Sequence, residues 1–152
     1  MGNKIAAFAL LFFVLISCGR KPVGDDVSFK DAVKLDQYIV EGRDLYLQHC
    51  SNCHQAEGQG LGRLYPPLNN SDYMKGNVES VICLIRNGIS GKMVVNGVEY
   101  NQAMPGVPTL TPLEVAEIAT YIYNKWELEE GLIDVKMAEK ALVNCGEAAV
   151  KD

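Results

Sequence analysis

Residues 47–60, LQHCSNCHQAEGQG, decide the fold, and they contain both histidines of the chain. At their centre Cys50 and Cys53 stand three positions apart, and His54 follows at once. Three chemistries use such a cluster: a zinc site, a redox-active dithiol and the covalent attachment of a haem. The rest of the sequence discriminates between them.

The first two chemistries need partners that the sequence does not offer. Structural zinc takes four Cys or His ligands, normally as two spaced pairs, whereas Cys83 and Cys145 are isolated and far apart. A thioredoxin-like dithiol is expected after a buried strand in a βαβ unit. Here the pair follows a helical pattern and precedes a glycine-rich loop, and that reading leaves His54 without a role.

The pattern C-x-x-C-H is the attachment sequence of haem c. Cysteines at i and i+3 project from the same side of a helical turn, so their sulfurs can add to two vinyl groups on one porphyrin edge. His54 is then carried beneath the ring and is predicted to bind the iron. Because the motif occurs once, we expect one covalent haem c. His49 is predicted to point away from Cys50 into solvent.

A methionine on the other face of the iron would favour electron transfer over oxygen chemistry. Pro105 restricts its predecessor to extended backbone, which places Met104 on a stiff loop that can be aimed at a metal. We therefore predict His54 and Met104 as the iron ligands. Met93 is the second candidate, and the other methionines after the initiator are Met74 and Met137.

The N-terminus carries an export signal. Residues 5–16 are twelve consecutive apolar residues, too few to span a bilayer, which takes about 20. They end in Leu-Ile-Ser-Cys18, which resembles the lipobox of bacterial lipoproteins. We predict a signal peptide over residues 1–17, lipid on Cys18, and a location on the periplasmic side of a bacterial membrane. A plain signal peptide and an uncleaved anchor remain alternatives.

Hydrophobic periodicity and end signals predict the remaining organisation. Residues 18–35 are expected to form a flexible tether, residues 36–127 a helical domain, and residues 128–152 a tail packed on it. Helices are predicted from Asp36 to Cys50, from Val78 to Arg86, and after the Thr111 cap, with a hairpin around Asn96-Gly97. A net charge of −5 without a basic stripe argues against nucleic acid as a partner.

Residues 38–126 resemble the class I monohaem c-type cytochromes. The matching positions are Gly42-x-x-x-Tyr46-x-x-x-Cys50, the C-x-x-C-H motif, Pro66-Pro67-Leu68, Ala103-Met104-Pro105 and the final helix ending YIYNKW at Trp126. The stretch VNGVEYNQAMP is similar to the Met-ligand region of cytochrome domains associated with bacterial nitrite reductases and dehydrogenases.

The resemblance implies an all-α fold of helices wrapped around the haem, with a short hairpin before the Met ligand. It implies that Gly42 and Tyr46 cross the last helix near Tyr121. It also implies that the Pro66 carbonyl accepts a hydrogen bond from His54 and that Leu68 lines the haem pocket.

Two cysteines remain once lipid and haem have taken the other three. Cys83 and Cys145 would lie in an oxidising compartment, where thiols tend to pair. On a helical wheel Cys83 faces away from the apolar side of its helix. Our hypothesis is a Cys83–Cys145 disulfide that ties the tail over this helix, and two free thiols remain the alternative.

These patterns predict a membrane-anchored electron carrier and not an enzyme. It would pass single electrons between redox protein partners of a respiratory chain, would be held to the membrane by its N-terminal lipid, and would have no small-molecule substrate. Two alternatives stay open: a haem enzyme or sensor with an open iron position, and a fixed electron-transfer subunit of an oxidase or reductase complex.

Overall fold

The computed structural model describes residues 26–126 and 128–145, and the chain divides into two units, Met1–Lys30 and Asp31–Asp152. Of the first unit only residues 26–30, which are helical, are described. The predicted signal peptide and Cys18 lie outside the described residues. No helix in the described ranges combines the length and apolar character needed to cross a bilayer.

The described residues confirm a mainly helical fold with short strands. The helices are α1 (Asp26–His49), α2 (Ser51–His54), α3 (Val78–Asn87), α4 (Pro112–Lys125) and α5 (Val135–Val143). The strands are β1 (Gly88–Ile89), β2 (Met93–Val95), β3 (Val98–Tyr100) and β4 (Met104–Pro105). β2 and β3 form the predicted hairpin, and β1 pairs antiparallel with β4 in a ribbon that the sequence did not predict.

The predicted helix start at Asp36 is wrong, because α1 begins at Asp26. Residues 26–35, which we had assigned to the flexible tether, are therefore helical. This stretch contains no Gly or Pro to interrupt a helix. None of residues 29–35 is buried, with Phe29 69% and Val33 39% exposed, and hydrophobic periodicity cannot detect a helix that has no buried apolar face.

Helices α1 and α4 cross in contact at Gly42, as predicted. A Cβ added at Gly42 would overlap the backbone carbonyl of Glu117 and come within 2.9 Å of the Tyr121 Cβ. Tyr46, one turn further along α1, packs on Tyr121 with ring centroids 5.4 Å apart. The glycine therefore allows the close helix crossing on which the aromatic core is built.

The C-terminal segment packs on the outside of α3 and α4. Thr120 Oγ1 donates to the Ile133 carbonyl at 3.1 Å and accepts from the Ile133 amide at 3.2 Å. One turn later the Asn124 side chain makes the same pair of bonds with Gly131, at 2.8 and 3.0 Å. Two side chains of α4 thus hold the segment that leads into α5.

A disulfide joins the tail to α3. It links Cys83 to Cys145, whose Cα atoms lie 5.4 Å apart. Val81, Ile82 and Ile85 of α3 are buried, as the wheel predicts, so Cys83 lies on the side of α3 that the tail covers. This is the disulfide that we hypothesised from the two cysteines left over after lipid and haem attachment.

Candidate functional site

The end of α1, α2, α3, the hairpin and β4 enclose one large cavity, with about 1220 Å³ of space including its open mouth. Its lining is mostly apolar with a few polar groups, as is typical of cofactor sites. Its lining includes all six residues that the sequence predicted to contact a haem: Cys50, Cys53, His54, Pro66, Leu68 and Met104.

The two cysteines of the motif lie in one helical turn on the cavity wall. The Cys53 and His54 amides both donate to the Cys50 carbonyl, at 3.2 and 3.0 Å. The two thiols are not bonded to each other. Burial, with a smaller contribution from the charge of Cys53, raises the pKa of Cys50 to about 12.

The electrostatics of this turn argue against a redox-active dithiol. A redox-active dithiol needs a lowered thiol pKa, and that of Cys50 is raised. Within residues 26–126 and 128–145, no three Cys, His, Asp or Glu side chains are grouped so as to hold a metal ion. Conversion of the Cys50 sulfur to a thioether would remove a thiol whose ionised form this part of the cavity wall disfavours.

His54 is presented to the cavity as a neutral, oriented imidazole. Its side chain is only 7% exposed, and Nδ1 donates to the Pro66 carbonyl at 3.0 Å, which is the bond that the family resemblance implied. Burial lowers the pKa of His54, and the bond to Pro66 opposes this. Since Nδ1 is engaged, Nε2 is the nitrogen left for iron, and such a hydrogen bond fixes the ring and raises its basicity.

Three methionines line the cavity: Met74, Met93 and Met104. Met137 does not, because it lies on α5 with 42% of its surface exposed. Met74 is 2% exposed, and its carbonyl accepts a hydrogen bond from the Tyr123 hydroxyl at 2.8 Å, which marks it as part of the core. Met93 and Met104 therefore remain the two candidates for an axial ligand.

Strand pairing holds the backbones of both methionines, since Met93 pairs with Tyr100 in the hairpin. Met104 pairs with Ile89 in the β1–β4 ribbon, and Pro105 restricts it further. A Cβ at Gly88, whose φ is +72°, would overlap the Met104 carbonyl oxygen. Only glycine allows this approach of α3's end to the Met104 segment.

His49 does not lie where the sequence placed it. It is half-buried and lines the cavity, whereas we had predicted a solvated side chain. The prediction continued one helical wheel through Cys50, but α1 ends at His49 and α2 begins at Ser51. His49 and Cys50 are neighbours in the sequence and both line the cavity, so a residue next to Cys50 need not point away from it.

Sequence reasoning missed the contacts that close the cavity on the hairpin side. The Asn96 amide donates to Asp72 Oδ1 at 2.7 Å, and the Asp72 amide donates to Asn96 Oδ1 at 2.9 Å. The Tyr100 hydroxyl also donates to the Gly62 carbonyl at 3.5 Å. These bonds join segments 24 and 38 residues apart, so no local pattern could have found them.

Comparison with known proteins gives consistent matches. The family model described as Cytochrome c matches residues 39–126. The chain is 31% identical over 91 residues to "Cytochrome c-552" of Thermus thermophilus, covering 57% of this chain and 69% of that protein. It is also 31% identical over 90 residues to "Alcohol dehydrogenase (quinone), cytochrome c subunit" of Gluconacetobacter polyoxogenes, covering 57% of this chain but 19% of that protein.

Proposed function

The chain belongs to the cytochrome c family, and from that premise we propose that it is a lipid-anchored carrier of single electrons between respiratory partners. Membership brings one covalent haem c and an electron-transfer function. The observation that carries the proposal is that the wall of one cavity contains Cys50, Cys53 and His54 together with Met104. The anchor is proposed from the Cys18 lipobox, which puts the carrier on the periplasmic side.

The residues around the cavity fit a haem. Cys50 and Cys53 would hold its two vinyl-derived carbons, and His54 and Met104 would bind the iron from opposite sides. Met104 is preferred to Met93 because, although both are strand-paired, Pro105 restricts the backbone of Met104 alone. When bound, the haem supplies an iron that alternates between ferrous and ferric states.

The task of the protein is to let the iron change its charge without a large rearrangement of the residues around it. The Pro66 carbonyl holds the imidazole, and the Leu68 side chain and other apolar walls keep water away from the ring. If His54 and Met104 both bind the iron, they would leave no position on it for a substrate. The chain would accept an electron from one protein and pass it to another without transforming a substrate itself.

The ligand assignment is tested by comparing Met104→Ala with Met93→Ala after expression with a haem-attachment apparatus. A ferric iron bound to a thioether gives a weak absorption band near the red end of the spectrum. Met104→Ala should lose this band and show a large fall in reduction potential, because the Met ligand raises the potential. Met93→Ala, the matched control, should keep both. Loss of the band in the control alone would assign the ligand to Met93.

The same preparation tests the remaining parts of the proposal. Colourless protein, or haem released by denaturation, would contradict covalent attachment through Cys50 and Cys53. An open iron position, shown by a wild-type spectrum without the red band, would favour a haem enzyme or sensor. Mass spectrometry of detergent-extracted protein should find a lipidated Cys18, and an unmodified N-terminus would remove the anchor.

A fixed subunit is the second candidate function, since one relative is described as a cytochrome c subunit of a dehydrogenase. Free shuttling and fixed attachment differ in how the protein leaves the membrane. Extraction in mild detergent followed by size-exclusion chromatography should give a single small species for a shuttle. Stoichiometric co-elution with a larger enzyme would favour the fixed subunit.

A further inference from the structure

Arg86 makes a long-range contact that the proposed function does not use. It lies in the last turn of α3, is half-buried, and donates from Nη1 to the backbone carbonyl of Leu110, 24 residues away. Among the described residues no carboxylate forms an ion pair with it. Leu110 itself is 3% exposed and lines the cavity.

Several contacts, of which this is one, attach residues 104–110 to the end of α3. Gly88 and Ile89 pair with Pro105 and Met104 in the ribbon. The Val107 amide donates to the Ile85 carbonyl at 3.0 Å.

At Gly106 the two backbones are so close that a Cβ would overlap Asn87 and the Arg86 carbonyl oxygen. Among these contacts, the Arg86–Leu110 hydrogen bond is made by a side chain, and it lies at the Leu110 end of the segment.

We propose that Arg86 is a positioning residue for the iron's methionine ligand: it closes the loop that carries Met104 and thereby strengthens the Met104–iron bond. The inference rests on the proposed role of Met104. A hydrogen bond from a charged donor to a buried carbonyl is among the stronger ones. Without it, the Leu110 carbonyl loses its donor, and the described contacts of the loop with the end of α3 reach only from Met104 to Val107. Met104 can then leave the iron more readily when a competing ligand is present.

The test is a titration of ferric protein with imidazole, followed by loss of the red absorption band, in wild type, Arg86→Gln and Arg86→Lys. Arg86→Gln should lose the band at about a tenfold lower imidazole concentration, which corresponds to about 1.4 kcal/mol. Arg86→Lys keeps the charge and a donor and should fall between the two. Reduction potentials and thermal midpoints are measured on the same samples.

Asn124→Ala is the matched control, because it also removes side chain–backbone hydrogen bonds, but to the tail at Gly131. It should lower the thermal midpoint and leave the imidazole titration unchanged. If Arg86→Gln behaves like this control, Arg86 is merely structural and the inference is overturned.

A change of potential without a change in imidazole affinity would also overturn the inference, since it would show a charge effect alone. Should Arg86→Gln fail to fold, the titration of Arg86→Lys decides. A wild-type spectrum without the red band would instead contradict the proposed ligation by Met104. Failure of the proposed function and failure of the role of Arg86 are therefore distinguishable.

Discussion

Replacing Gly42 by Ala should destabilise the protein although it replaces a poor helix former by the best one. In an isolated helix this change stabilises by about 1 kcal/mol. Here the added methyl would overlap the Glu117 carbonyl and approach the Tyr121 Cβ to 2.9 Å. Both neighbours belong to the body of α4 and cannot rotate away as a flexible side chain would.

The expected magnitude follows from the movement that the methyl requires. The two helices must separate by about 1 Å to restore normal contact, and a gap of that size forfeits about a quarter to a half of each dispersion contact across the crossing. Overpacking of a well-packed site typically costs about 1–3 kcal/mol. The crossing also carries the Tyr46–Tyr121 contact, so we expect a net loss of about 2 kcal/mol for Gly42→Ala and more for Gly42→Val.

Urea unfolding of the haem-loaded protein, followed by far-UV circular dichroism, measures this loss. Gln37→Ala is the control, because Gln37 is an exposed residue of the same helix and should change the free energy of unfolding by less than about 0.5 kcal/mol. A Gly42→Ala variant as stable as wild type would show that α1 and α4 do not meet as described. Equal stability of the Ala and Val variants would refute the steric argument.

Three further perturbations test the tail and α4. Replacing Cys83 and Cys145 together by Ala opens a loop with a sequence separation of 62 and should lower the free energy of unfolding by about 4 kcal/mol. An unchanged urea midpoint for that double variant would contradict the bridge. Burial, followed by neighbouring carboxylates, raises the pKa of Glu117, so the folded state binds its proton more tightly than the unfolded state does. Glu117→Gln should therefore raise the thermal midpoint near pH 7, and its advantage should shrink as the pH falls toward 4; a constant gain at all pH values would argue against titration of Glu117. Thr111→Ala removes the N-cap of α4 and its reciprocal bonds with Glu114 and should cost about 1 kcal/mol in chemical denaturation. In wild type, Thr111 also holds the pKa of Glu114 low, so part of this stability should be lost as the pH falls through that lowered pKa, and an acid limb identical in both proteins would contradict it.

Interactions between residues close together in the sequence were sufficient to predict several features of this protein. The Thr111 capping box and the Asn96-Gly97 turn appear in the structure as predicted, and α3 ends at Asn87, one residue after the predicted Arg86. Each depends on interactions between residues a few positions apart, which a sequence displays directly. The C-x-x-C-H motif belongs to the same class, since one helical turn places its members together.

Other features depended on contacts between distant segments, and only the tertiary structure decided them. Residues 29–35 of α1 have no buried face to reveal the helix, and His49 is half-buried on the cavity wall, where the sequence did not place it. The Asp72–Asn96 bonds and the Arg86–Leu110 contact each join residues 24 positions apart. Local pattern shows which residues can form a turn or a cap, but which side chains meet across a cavity depends on how the helices pack around it.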